Sequence, residues 1–313
     1  MHAINHPVGH VTEAMLRWWY RKPLEDGQGL PNELKPTFTE LCDPKAEKFR
    51  HGRVLLAANV ISLFRVDPEW ATQDLLPLFD WQRSEIEARA AWEGFLWSPR
   101  LYRPLMEVIK PAFLDTARHY ASIGKHDGQY TSLLTFAALD PGDTFTTAEL
   151  ATATRALPSD GLHETAQALV RTLEGAGDQR ADYWKNRVAP YMHAIWPKTR
   201  GNATPAIAKS FGRLCVAAQD AFPEALVLLR AWLQPVAHPD YLVHRLHEAG
   251  GLCDRFPEDA LDFLSLVIGG DQTQWPPSDL GACLDAICNA EPALATDPRY
   301  ERLMAYLRQH GRE

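Results

Sequence analysis

Few residues of this chain are spaced for chemistry. Gly175-Ala176-Gly177-Asp178 resembles the opening of a dinucleotide-binding glycine loop. That chemistry needs a strand before the glycines and a helix after them, so that backbone N–H groups face a pyrophosphate. The apolar period before this loop, Ala166 to Leu173, is helical, which predicts a turn between two helices. His244, His247 and Glu248 fall within one predicted helix, and two His at i and i+3 can share a face and hold a metal. Zinc-protease helices instead carry HExxH, with an internal Glu, so a solvated helix face is the plainer expectation. His2, His6 and His10 are spaced by four, but Pro7 interrupts the helix that would align them. Carboxylate pairs such as Glu258 and Asp262 sit on predicted helix faces, where solvated charge is the default. No G-x-S-x-G elbow, P-loop or catalytic Cys-His motif is present.

Two stretches have the residue types for binding. Tyr183, Trp184, Lys185, Arg187, Tyr191, His193, Trp196, Lys198 and Arg200 interleave aromatics with cations, a mix that can stack bases and neutralise phosphates. Trp184, Val188, Tyr191 and Ile195 also fall on one helical stripe, as a core face does. Trp18 and Trp19 point about 100° apart on a helix, so either the helix is covered broadly or one ring is a docking anchor. In the basic cluster Lys48, Arg50, His51 and Arg53, the last lies at the edge of an apolar helix. That position predicts a partner for a buried carboxylate or a helix end.

The elements that must carry these residues are helical. Sustained apolar–polar alternation is missing, and the helical period dominates. Lys45 to Arg65 reads as one helix, apolar on all sides from Val54 to Phe64, and therefore central. Asp67 and Pro68 form a helix start, Ser84 and Glu87 a capping box, and Gly94 allows close helix approach. The five cysteines lie mostly in apolar helical patterns, which predicts reduced thiols. The N-terminus lacks the apolar stretch of a secretory leader and no run is long enough to span a bilayer, which predicts a cytoplasmic protein without a membrane partner. From Thr204 onward nine Lys or Arg face fifteen Asp or Glu, a balance that disfavours this third as a phosphate surface.

An echo organises that acidic third. Phe222-Pro223-Glu224 and Phe256-Pro257-Glu258 each open an apolar stripe, and Pro205 and Pro239 repeat the same offset of about 34 residues. Two proline registers with one period predict a two-helix unit. A degenerate third unit follows from Pro277, and the polar end of the chain suits a terminal cap.

Asn5-His6-Pro7-Val8-Gly9, Trp18-Trp19-Tyr20, the run from His51-Gly52-Arg53 to Phe64, Trp92-Glu93-Gly94-Phe95-Leu96-Trp97 and Pro197-Lys198 together carry a resemblance. They resemble the uncharacterised helical region that follows the sirtuin-type NAD-hydrolysing domain in some long bacterial antiphage defence proteins. The resemblance covers most of the chain. It implies a regulatory, sensing or assembly module, with the NAD chemistry in an upstream domain. Nothing of that domain is present here, so no catalytic residue transfers. The abrupt start fits a piece of a longer protein and a standalone relative equally well.

These readings predict an all-α protein. A helical bundle is expected over 1–198 and a short HEAT-like or TPR-like α-solenoid over 199–313. The expected function is non-catalytic binding of another protein or of a sibling chain within a defence system, with no cofactor and no metal. A NAD-hydrolase domain in the same or a neighbouring chain is the suspected partner. Candidate contact residues are Trp18, Trp19, Trp184, Lys185, Arg187, Lys198 and Arg200. A nucleic-acid-binding helical stack is the alternative and requires the last five to be exposed together. A metal-dependent all-α hydrolase is the third reading.

Overall fold

A computed structural model describes residues 3–199, 201, 203–269 and 275–311. Among them there is no strand; the chain is all-α. It divides into two compact units, Met1–Gly161 and Leu162–Glu313. The first contains α1 (Pro7–Trp19), α2 (Lys35–Cys42), α3 (Arg50–Ala58), α4 (Val60–Val66), α5 (Pro68–Trp70), α6 (Glu85–Phe95), α7 (Arg103–Asp115), α8 (Asp127–Leu139) and α9 (Thr147–Ala156). The division falls in the first turn of α10 (Ser159–Gly175). The second unit continues with α11 (Arg180–Tyr183), α12 (Ala189–Ala194), α13 (Pro205–Ala217), α14 (Phe222–Leu229) and α15 (Asp240–Glu248). It ends with α16 (Leu252–Arg255), α17 (Pro257–Val267), α18 (Leu280–Ala290) and α19 (Pro298–Gln309). No described helix is long and apolar enough to cross a membrane.

Local chemistry sets the helix starts. The side chains of His6, Asp67, Ser84, Thr146, Thr204 and Asp297 each accept a backbone N–H at the start of a helix. Proline occupies the first turn of α1, α5, α13, α17 and α19, where its missing N–H costs nothing. The single helix expected over Lys45–Arg65 is three pieces: a 3₁₀ turn at Glu47–Phe49, then α3, then α4. Asn59 makes the last break, because its side-chain amide donates to the carbonyl of Leu55 at 2.8 Å and competes with the backbone ladder.

In the first unit α1 packs on α3, α3 on α6, and α6 on the irregular segment Thr116–His126. A second series runs beside it: α2 on the π turn Ala71–Leu75, the 3₁₀ turn Leu76–Phe79 on α7, and α7 on α9. Helices α3 and α6 touch most intimately at Gly94, where a Cβ would stand 2.0 Å from the carbonyl oxygen of Val54. Trp92, fully buried on α6, meets Phe79, Phe113 and Tyr130 at ring distances of 5.0, 6.2 and 6.5 Å.

The second unit has the same two series. α13 packs on α15 and α15 on α18; α14 packs on α17 and α17 on α19. The pairs α13–α14, α16–α17 and α18–α19 join one series to the other. Phe222 and Phe256, the two phenylalanines of the sequence echo, face each other at 6.5 Å, and Phe222 also meets Phe263 at 5.8 Å. The boundary expected at 198/199 lies inside this unit. On either side of it Trp196 packs on Phe211 at 4.9 Å and Gln234 donates to the carbonyl of Ala203 at 2.8 Å.

One spacing recurs across both units. Lys35–Asp67, Thr39–Trp70, Arg53–Glu87, Trp81–Thr116 and Glu85–Ser122 are side-chain hydrogen bonds between residues 31–37 apart. Arg213–Glu174, Arg230–Asp262, His244–Asp279, Arg255–Asp220 and Arg302–Ser265 do the same at 32–39.

Candidate interaction groove

A groove of about 910 Å³ lies in the first unit over α7, flanked by the segment 72–83 and by α9. Its floor is apolar: Leu76 and Pro77, then Val108, Ile109 and Ala112 of α7, then Ala153 of α9. Val108 is 43% exposed there. The floor exists because α7 follows its helical period through Pro111, which sits inside the helix and on the groove wall. α9 is fixed opposite by a full capping box, Thr146 and Glu149.

The rim is charged but internally paired. Asp80 faces Arg83 at 3.4 Å, and Asp115 faces Arg118 at 2.9 Å. Glu149 faces Lys110 at 2.9 Å. The N–H of Thr146, the Lys110 ammonium and the Thr146 hydroxyl together hold the Glu149 carboxyl down at about 2. Asp115 also accepts from Gln82 at 3.2 Å. Behind the rim His119 stacks flat on Trp81 at 4.4 Å, and the indole N–H of Trp81 donates to Thr116 at 2.8 Å. A second hollow of about 390 Å³ shares Pro77, Asp80 and Arg83 with the first and adds Asp74, whose carboxyl burial pushes up. Such a surface, apolar below and neutralised above, suits an amphipathic helix better than a polyanion.

The residues singled out in the sequence are placed differently. Trp19 is buried and Trp18 is 44% exposed, so only Trp18 is available for contact. Exposed Val11, on the same helix, lines an apolar hollow of about 270 Å³. Trp184 is 2% exposed, and Val188, Tyr191, Ile195 and Trp196 are buried with it, so this stripe is core. Lys185, Arg187 and Lys198 are exposed; Arg200 lies outside the described residues. Burial of the aromatics removes the base-stacking surface that the nucleic-acid reading requires. Arg53 meets both sequence-based expectations at once. It is 1% exposed, it donates to the Glu87 carboxylate at 2.6 and 3.0 Å, and it caps the end of α2 through the carbonyls of Leu41 and Asp43.

The Gly175–Asp178 stretch is a turn between α10 and a 3₁₀ turn at Gly177–Gln179. His244 pairs with Glu248 and Asp279 on an exposed surface, and no group of three or more His, Cys, Asp or Glu is arranged for a metal among the described residues. His6 caps α1 and stacks on His51 at 4.0 Å; His2 lies outside the described residues. Sequence reasoning missed the groove because three distant segments build it. The available signal was the pair of i, i+3 Asp–Arg couples, 80/83 and 115/118, each beside an apolar helical stripe.

No family model matches the chain, and no solved structure matches it. It is similar to the uncharacterized protein y4cA of Sinorhizobium fredii (strain NBRC 101917 / NGR234), with 32% identity over 136 residues. That stretch is 42% of this chain, and the chain spans only 11% of the length of this relative.

Proposed function

We propose that this chain is a non-catalytic assembly or sensor module, built as an α-solenoid of stacked helical pairs. In this reading the groove over α7 receives an amphipathic helix of a protein partner. The spacing of the side-chain ties carries the reading. Hydrogen bonds 31–39 residues apart recur along both units, the pattern expected of a stack in which each helical pair contacts only its neighbours. The two parallel packing series in each unit support it further. Stacked helical pairs present extended concave surfaces, and the groove is such a surface.

The partner is a protein of a bacterial antiphage system carrying a sirtuin-type NAD-hydrolase domain, in the same or a neighbouring chain. The sequence resemblance is what supports this. The test mixes the chain with that domain and measures the Kd by calorimetry. Val108→Glu, at an exposed floor position, is expected to weaken binding by at least about tenfold, since a lone charge is desolvated in the contact. Val227→Glu, on the exposed side of α14, leaves binding unchanged. Equal effects of the two variants remove the groove from the interface, and NAD consumption by this chain alone overturns the non-catalytic reading. Binding to DNA that weakens steeply with salt would favour the nucleic-acid alternative instead.

A further inference from the structure

We propose that His126 is an acid-sensitive latch on the groove: its protonation opens the segment Thr116–His126 and loosens the wall that this segment carries. Arg118 of the segment lines the groove. Thr116 accepts from the Trp81 indole at 2.8 Å, His119 stacks on the same indole, and Ser122 donates to Glu85 at 3.0 Å. Two residues within the segment leave the helical region: His119 at φ −102°, ψ 19° and Gly124 at φ 59°, ψ −129°. An interrupted helix has fewer ladder hydrogen bonds to lose, so it opens at lower cost than the helices around it.

His126 ends the segment and stands at the N-cap of α8. The same residue type caps α1, where the His6 ring accepts the Val8 N–H at 3.2 Å. His126 makes no such bond. Its side chain is buried instead, at 7% exposure, and neither ring nitrogen has a hydrogen-bond partner among the described residues. A neutral imidazole carries one N–H, so either tautomer buries one unmet donor; protonation makes it two and adds a charge. Burial is the main reason that the ring's pKa lies below its usual value, and Lys125 and the chain's amino terminus act in the same direction. Glu93 of α6 and Asp127 of α8 oppose them and are outweighed. No charged group of α7 or α9, which also pack on the segment, is among those that act on the ring. Opening brings the ring to water, where its pKa returns to about 6.5. Above that pH both forms are neutral and the latch holds. As pH falls through it the open form takes the proton first, and opening rises by up to about tenfold per pH unit until the closed form titrates as well. The consequence for a partner rests on reading the groove as the interface; the latch itself does not.

The test is hydrogen exchange of the whole chain, without a partner, read by mass spectrometry and corrected for the intrinsic rate. Between about pH 7.5 and about pH 5.5, peptides covering 116–126 should lose protection by about threefold to tenfold, while those of α13 and α14 change little. His126→Gln should remove this response. His119→Gln, which removes the other imidazole of the segment, should keep it. Equal protection of 116–126 at the two pH values overturns the proposal, as does a loss spread evenly over the first unit. A response that survives His126→Gln, or that disappears in His119→Gln, overturns it too. If His126→Gln fails to fold, the exchange map of the natural chain and His119→Gln still decide. With no partner present, this result stands apart from the Val108→Glu comparison that tests the groove.

Discussion

Two ties of nearly equal spacing, one from each unit, sit in opposite environments. In the first, Arg53 and Glu87 are 34 residues apart and almost fully buried. In the second, Arg255 and Asp220 are 35 apart and open to solvent. Spacing alone therefore does not set the worth of a tie; burial does. A charge removed from the interior leaves its partner stranded; one removed from the surface leaves water in its place.

Glu87→Ala should have the largest effect. Arg53 would keep three backbone carbonyls and lose its only buried carboxylate, at a cost of about 3–5 kcal/mol for an uncompensated buried charge. Urea unfolding reads this directly, and a loss below about 1 kcal/mol would erase the distinction between the units. Phe222→Ala is the apolar counterpart in the second unit. It empties the contact between Phe256 and Phe263 and should cost about 3 kcal/mol. If it proves neutral, the phenylalanine echo does not hold neighbouring helical pairs together.

Legibility also differs between the units. The second unit's spacing was visible because Phe-Pro-Glu recurs as letters. In the first, the ties at that spacing come from no recurring letters: an ammonium on a carboxylate at Lys35–Asp67, an indole on a hydroxyl at Trp70–Thr39, a guanidinium on a carboxylate at Arg53–Glu87. Spacing without identity leaves no echo in the letters of the first unit. The helical class, the Trp184 stripe and the role of Arg53 were legible because each follows from periodicity or desolvation. The break at Asn59 was not, since its side chain chose a backbone carbonyl that helical propensity alone would leave to the ladder. Ser84 caps α6 as the capping box requires, but Glu87 turns away to Arg50 and Arg53, a choice set by residues far along the chain.

A pH profile sharpens the comparison at a smaller scale. Burial alone would raise the Asp67 carboxyl, but Lys35 and the N–H groups of Leu30 and Trp70 outweigh it and hold the group below its usual range. A depressed carboxylate contributes stability above its unfolded pKa, near 4, and loses it as pH falls through the lower folded value. The Tm gap between the natural chain and Asp67→Asn should be constant from pH 7 to about 5 and shrink below about 4. A gap that stays unchanged at acid pH would mean the ionised carboxylate is not what Lys35 and the α5 cap depend on.

Arg255→Ala should have the smallest effect. Its guanidinium pairs with exposed Asp220 and lies 5.1 Å over the Phe256 ring. The ion pair ties α16 to the 3₁₀ turn before α14, so its geometry alone would suggest a large role. Exposed pairs are nevertheless worth about 0–1 kcal/mol, because water replaces the lost partner and ordering a long side chain offsets the attraction. The ring contact adds about 0.5–1 kcal/mol at an exposed site. Arg255→Ala should therefore cost about 1 kcal/mol, and a double-mutant cycle with Asp220→Ala should assign under half of that to the ion pair. A coupling comparable to the loss at Glu87 would mean that ties at this spacing hold by geometry wherever they lie, and that burial is not what separates Arg255–Asp220 from Arg53–Glu87.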